Sequence, residues 1–309
     1  MSGALGIVVQ EVAPRDGLQI EPVWVPTEEK VRLIDRLSEQ GFSRIEVSSF
    51  VSARAVPALR DAAEVFAAIQ RRPGTLYVAL IPNLRGAVAA LAAGADELNL
   101  VMSASDSHNL ANVGMTGEAS FGAFGGIAME VAGKRPLNGT VATAFGCPFE
   151  GEVAAVRTLA LVRRYLDLGV GGVTLADTTG LANPRQVRAL VGEALKLTGP
   201  DRLTLHFHNT RGLGLANVLA AHEAGARRFD SALGGLGGCP FAPGASGNVC
   251  TEDLVNMAHE MGMRTGLDLE ALIALSRTLP PLLGHDVPGQ VMKAGRNCDL
   301  HPLPSAGRG

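Results

Sequence analysis

The chain has 309 residues, 47% of them hydrophobic and 18% charged. That is enough apolar material for a large core and too little charge for a disordered polymer. The formal net charge of −3 gives no basic field for nucleic acid, so a bound anion must be held by local groups.

Apolar, β-branched runs recur about every 25 to 35 residues along the chain. They predict strands at Gly6–Val12, Arg44–Ser49, Leu76–Ile81, Glu97–Met102, Val141–Phe145, Gly172–Ala176, Arg202–Phe207 and Arg228–Ser231. Alanine- and leucine-rich stretches between them predict helices, among them Glu28–Gln40, Val153–Leu168, Pro184–Leu197 and Leu215–Ala224. Gly41, Gly94, Gly169 and Gly225 fit the position just past a helix end, and Asn183–Pro184 fits a helix start. Strands alternating with helices predict an α/β chain folded as a (β/α)8 barrel, with an open doubly wound sheet as the alternative. No G-x-G-x-x-G follows the first strand, which counts against a dinucleotide fold. Asn248–Leu283 predicts two further helices that extend the barrel or cover one mouth. One catalytic domain is expected over residues 1–285, with 286–309 as a partly mobile extension.

The N-terminal segment MSGALGIVVQEVAPRDG lacks the charged and apolar regions of a secretory signal, and no apolar run reaches transmembrane length. Cys147, Cys239, Cys250 and Cys298 form no C-x-x-C pair and read as reduced thiols. A cytoplasmic protein without membrane or nucleic-acid partners is the expectation.

Polar residues gather where the predicted strands end, the face on which barrel enzymes carry their sites. They are Arg15, Asp16, Glu46, Ser48, Ser49, Asn83, Ser103, Ser105 and Asp177. The seventh strand ends in LTLHFHN, where alternation puts His206 and His208 on one face, within reach of one metal ion or as two core histidines. Asp16 adds a hard oxygen donor or caps a turn. Two nitrogens and one oxygen without thiolate fit Mg²⁺, Mn²⁺, Co²⁺ or Zn²⁺ and do not decide among them. Asn248 could add an amide oxygen. Arg15 suits a developing negative charge on a substrate oxygen, or a structural pair with Glu46; Glu46 itself suits orienting Arg15. Asp177 could hold a ligand histidine or cap the next helix. In GGLGGCPFAPGASGN, the glycines allow a mobile loop, and Cys239 within it is a proton donor, a nucleophile or an inert turn residue. His108, His222, His259, His285 and His301 sit in helical or tail contexts and carry no assigned chemistry.

APRDGLQIE, IEVSSFVS, GCPFEGEV, LADTTG, HFHNTRG and GLGGCPFAPGASGNVCTEDLV, in this order from about Val9 to Gly266, resemble the 3-hydroxy-3-methylglutaryl-CoA lyase family of metal-dependent TIM-barrel lyases. The resemblance implies cleavage of a 3-hydroxy-3-methylglutaryl thioester to acetyl-CoA and acetoacetate, and a homo-oligomer, a dimer being favoured. It assigns the metal to Asp16, His206, His208 and Asn248. Enolate stabilisation falls to Arg15 and proton transfer to Cys239, with His206 or Asp16 as proton carrier. Glu46, Asp177 and Glu252 match supporting acids, and Gln19 and Ser49 match positions near substrate. The family usually has Asn where this chain has Ile20, Asp where it has Asn209, and a Lys pair where it has Leu110–Ala111. These departures leave open a citramalyl-type or longer-branched thioester. A Claisen-type synthase is a further alternative, with the short segment after Leu283 speaking against it.

Overall fold

The computed structural model describes residues 6–238 and 247–300. Its barrel strands are β1 (Val8–Glu11), β2 (Arg44–Ser49), β3 (Leu76–Ile81), β4 (Glu97–Ser103), β5 (Leu137–Ala142), β6 (Gly172–Asp177), β7 (Leu203–Phe207) and β8 (Arg228–Ser231). Each pairs in parallel with its neighbours, and β1 closes the ring against both β2 (Glu11 with Ile45) and β8 (Val8 with Arg228). The result is the (β/α)8 barrel that the alternating pattern predicts.

The outer ring consists of α1 (Thr27–Ser38), α2 (Ala62–Ala68), α3 (Leu84–Ala92), α4 (Asp106–Val113), α5 (Gly117–Val131), α6 (Ala155–Asp167), α7 (Pro184–Thr198) and α8 (Gly214–Glu223). Residues such as Leu98, Leu100, Val173, Leu175, Leu203 and Leu205 are buried, and they alternate along their strands with polar residues. Gly41, Gly94, Gly169 and Gly225 all have positive φ, so each ends its helix in a backbone conformation open to glycine. Asn183 caps α7, its side chain accepting the Gln186 N–H at 3.1 Å.

The fifth strand lies four residues earlier than its apolar run suggests. Asn138 and Thr140 sit on the inner face of β5 and break the apolar pattern there. Thr143, with φ +52, ends the strand before Phe145. The inner wall is polar across several strands. Arg44 pairs with Glu97. Gln10 Nε2 donates to Thr204 Oγ1 at 3.1 Å, and Asn99 Nδ2 donates to Glu46 Oε1 at 3.0 Å. Both of these hydrogen bonds skip a strand, so they cross the barrel lumen.

After β8 come α9 (Thr251–Glu260), α10 (Leu269–Ser276), α11 (Leu279–Leu283) and α12 (Val291–Ala294), more than the two helices expected. α9 is tied to the barrel by Glu11. Its carboxylate accepts the Ala13 N–H at 2.8 Å, the Leu233 N–H at 3.0 Å and the Thr251 hydroxyl at 2.8 Å. Burial pushes the Glu11 carboxyl up to about 8 against these three donors. Among the described residues no helix is long and apolar enough to cross a membrane.

Candidate functional site

Two strand ends bring the candidate donors together. After β1 the chain makes one wide turn over Ala13–Gly17, in which the Asp16 and Gly17 N–H groups both return to Val12 O at 2.8 and 3.3 Å. This turn aims Asp16 across the barrel mouth at the end of β7. Asp16 Oδ2 lies 3.8 Å from His206 Nε2 and 3.7 Å from His208 Nε2, and the two Nε2 atoms are 3.1 Å apart. Asp16, His206 and His208 are all buried, with one ligand atom from each within 4.8 Å of the others. The i, i+2 spacing on β7 therefore does put both imidazoles on one side, facing an oxygen from another strand.

The donors suit a cation. His206 Nδ1 is 3.2 Å from Asp230 Oδ2, which turns Nε2 toward the cluster. Two nitrogens and a carboxylate oxygen converging in a buried position need a shared proton or a metal ion to offset their lone pairs. Asn248 Nδ2 donates to Asp16 Oδ2 at 2.8 Å and to Leu236 O at 2.9 Å, which holds the amide against the cluster. Gln19 Nε2 donates to Asp16 Oδ1 at 2.9 Å.

Arg15 lies along the same rim. Its Nε donates to Glu46 Oε2 at 2.6 Å, Nη2 lies 2.6 Å from the same oxygen in an ion pair, and Nη1 donates to Asp16 Oδ1 at 2.5 Å. Glu46, at the second strand end, therefore pairs with Arg15. Burial disfavours charge on Arg15, but Glu46 and Asp16 outweigh it and raise its pKa. Burial likewise works against an ionised Asp16. Arg15 and the two imidazoles reverse that and hold its carboxyl well below the usual range. His206 rises despite burial, through the Asp230 hydrogen bond and the charge of Asp16. His208 falls, first through burial and then through the neighbouring His206.

The other expected residues divide. Ser49 is buried at the end of β2, and its hydroxyl has no partner among the described residues. Asp177 caps a turn: Oδ1 accepts the Leu181 and Ala182 N–H groups at 2.8 and 3.1 Å. Burial pushes its carboxyl up to about 6. The partner of His206 is Asp230, not Asp177. Glu252 is fully buried, and its Oε2 accepts the Gly234 N–H at 3.0 Å, so it holds the backbone beneath the loop that leads to Cys239. Cys239 lies outside the described residues. Of the departures, Asn209 caps the start of α8 through the Gly214 N–H at 3.0 Å, a local structural duty. Ile20, in the turn after β1, is 42% exposed and Leu110, within α4, is 56% exposed, so both present apolar surface.

Asp230 and Asn99 did not stand out in the sequence. Each is a polar residue inside a strand rather than at its end. The usable signal is parity, since Asp230 pairs in register with His206 and shares its inward face. A cavity of about 760 Å³ beside the cluster is lined by residues such as Cys147, Thr179, Arg185 and Arg211, and by none of Arg15, Asp16, His206 or His208. Volume therefore does not mark the site; the donor set does.

A family model described as HMGL-like matches residues 7–279. The hydroxymethylglutaryl-CoA lyase of Bacillus subtilis is 40% identical over 286 residues, covering 92% of this chain and 95% of that protein. The (R)-citramalyl-CoA lyase of Chloroflexus aurantiacus is 43% identical over 300 residues, covering 94% and 95%. A solved structure of an HMG-CoA lyase from Acinetobacter baumannii, in complex with coenzyme A and 3-methylmalate, superposes with a TM-score of 0.96 at 63% identity, covering 98% of this chain and 100% of that one.

Proposed function

The chain belongs to the HMGL-like family, and on that premise we propose that it is a divalent-metal-dependent carbon–carbon lyase. It cleaves 3-hydroxy-3-methylglutaryl-CoA, or a close 3-hydroxyacyl-CoA, to acetyl-CoA and acetoacetate or the matching keto acid. The observation that carries this reading is the convergence of Asp16, His206 and His208 at the barrel mouth with the Arg15 guanidinium beside them.

Asp16 Oδ2, His206 Nε2 and His208 Nε2 would hold the ion, and the Asn248 amide, whose Nδ2 here donates to Asp16 Oδ2, would add its oxygen only with the amide reversed. The carboxylate oxygen suits Mg²⁺ or Mn²⁺, the ions we propose, and the imidazole nitrogens also admit Co²⁺ or Zn²⁺. The bound ion supplies a Lewis acid that lowers the pKa of the substrate's 3-hydroxyl. With His206 or Asp16 taking that proton, the C3–O bond becomes a carbonyl while the C2–C3 bond breaks and its electrons pass to the thioester as an enolate. Arg15 stabilises that negative charge. Two of its five N–H donors, on Nε and Nη1, are hydrogen-bonded among the described residues, so others are available to a substrate oxygen. A proton then returns to C2, for which Cys239 is the candidate donor. Glu46 keeps the guanidinium aimed, and Gln19 and Ser49 offer polar contacts to the substrate. We take the assembly to be a homodimer and the compartment to be the cytoplasm.

A citramalyl-type thioester is the second reading. It is supported by the 43% identity to a lyase of that name, by the 3-methylmalate in the 63% identical structure, and by the exposed apolar Ile20 and Leu110. A turnover screen across 3-hydroxyacyl-CoA thioesters with Mg²⁺ or Mn²⁺, identifying the keto product, separates the two. No product from any thioester with either ion rules out both.

Asp230 supplies a milder test. Asp230→Asn keeps the shape but weakens the hold on His206 Nδ1. Metal affinity is expected to fall about 10- to 100-fold, the usual cost of removing such a partner, with the fold retained. Calorimetric titration of Mn²⁺ reads it directly, and an unchanged affinity removes Asp230 from the centre.

A further inference from the structure

We infer that Asn99 is a positioning residue for the reaction, setting the aim of Arg15 through Glu46; this rests on the role given to Arg15 above. Asn99 lies on the inner face of β4, buried at the centre of the barrel. Its amide can sit only one way round. Asn99 Oδ1 accepts from Asn138 Nδ2 at 3.0 Å and from Thr140 Oγ1 at 2.8 Å. The Glu46 carboxylate on β2 only accepts, so the NH₂ end must face it and the oxygen end lies toward β5.

There Asn99 Nδ2 meets Glu46 Oε1 at 3.0 Å. The Asn138 amide is held in turn, because Nδ2 also donates to Thr174 Oγ1 at 3.1 Å on β6. The chain of donors thus runs in one direction, from β5 through Asn99 to Glu46. With Oε1 occupied from below, Glu46 offers Oε2 upward, and that single oxygen meets both Arg15 Nε and Nη2. The carboxylate plane, and with it the guanidinium plane, follows from an amide that touches neither substrate nor metal ligand. A water-sized void of about 20 Å³ borders Asn99, Asn138, Glu46 and Asp230, so Glu46 has room to turn once its lower partner is lost.

Asn99→Asp tests this, since it keeps the shape and replaces a donor with an acceptor facing Glu46. The expected result is a fall in kcat of about 10- to 100-fold with KM within about twofold, because the lost aim matters when charge develops. Mn²⁺ affinity stays at the wild-type value. In a Glu46→Gln background the same change costs less than about threefold, since the introduced amide donates back to the introduced carboxylate and the two sites act as one unit. A merely structural residue lowers thermal stability and active fraction alike in both backgrounds. Thr140→Val, which frees one side of the Asn99 oxygen and folds more safely, lowers kcat in the same direction by about 3- to 10-fold. A readout independent of turnover is the Arg15 Nε–H proton resonance, identified by its loss in Arg15→Met. It exchanges slowly with water in the wild type and at least about tenfold faster in Asn99→Asp. Failure of the wild type to cleave any thioester removes the lyase reading and leaves the exchange rate to decide on Asn99. Unchanged Nε–H exchange, or equal losses of kcat in both backgrounds, overturns the assignment.

Discussion

Arg15→Met lowers kcat by about 10²- to 10³-fold, the scale seen when one donor to a developing oxyanion is removed. KM for the thioester rises far less, because the charge that Arg15 meets forms only as the C2–C3 bond breaks. Metal affinity changes little, since Asp16 keeps its contacts with Asn248 and Gln19. Arg15→Lys should recover only part of the loss. An ammonium cannot reproduce the paired Nε and Nη2 contacts to Glu46 Oε2 while also reaching Asp16. Steady-state kinetics with a saturating divalent ion measure this. A fall below about tenfold for Arg15→Met would remove the enolate role and return Arg15 to a structural pair with Glu46.

Asp16→Asn is expected to act on the metal itself. It removes the only carboxylate that the described residues place between His206 and His208, and leaves Arg15 held by Glu46 alone. Metal affinity should fall by more than the roughly 10- to 100-fold expected for Asp230→Asn, because a ligand is lost rather than its support. Activity at micromolar Mn²⁺ falls in proportion and recovers in part at high Mn²⁺. That recovery separates Asp16→Asn from Arg15→Met, whose defect is the same at every metal concentration. The chain still folds, since Asp16 lies on a mouth turn anchored by its own backbone to Val12 O. Circular dichroism alongside the titration checks this.

Most of the architecture was legible because the outward strand residues are apolar and the helices end in positive-φ glycines. The fifth strand was not, since Asn138 and Thr140 face a polar lumen and hide its period. The cluster of Asp16, His206 and His208 was legible because strand-end position and i, i+2 spacing survive folding unchanged. Its support was harder to see. Asp177 and Glu252 look alike in sequence to Asp230, yet burial and local N–H donors make the first two backbone anchors. Asp230 holds a histidine. Only the register of β7 against β8 distinguishes it. Likewise Asn209, a departure from the family pattern, spends its side chain on the Gly214 N–H, so the substrate question narrows to Ile20 and Leu110.

The most direct measurement uses protein stripped of metal by a chelator and assayed for keto-acid release from 3-hydroxyacyl-CoA thioesters as Mn²⁺ is returned. Turnover is expected to be negligible without metal and to recover fully at one ion per chain, with no recovery for Asp16→Asn at that stoichiometry. Equal turnover before and after metal is returned would contradict it.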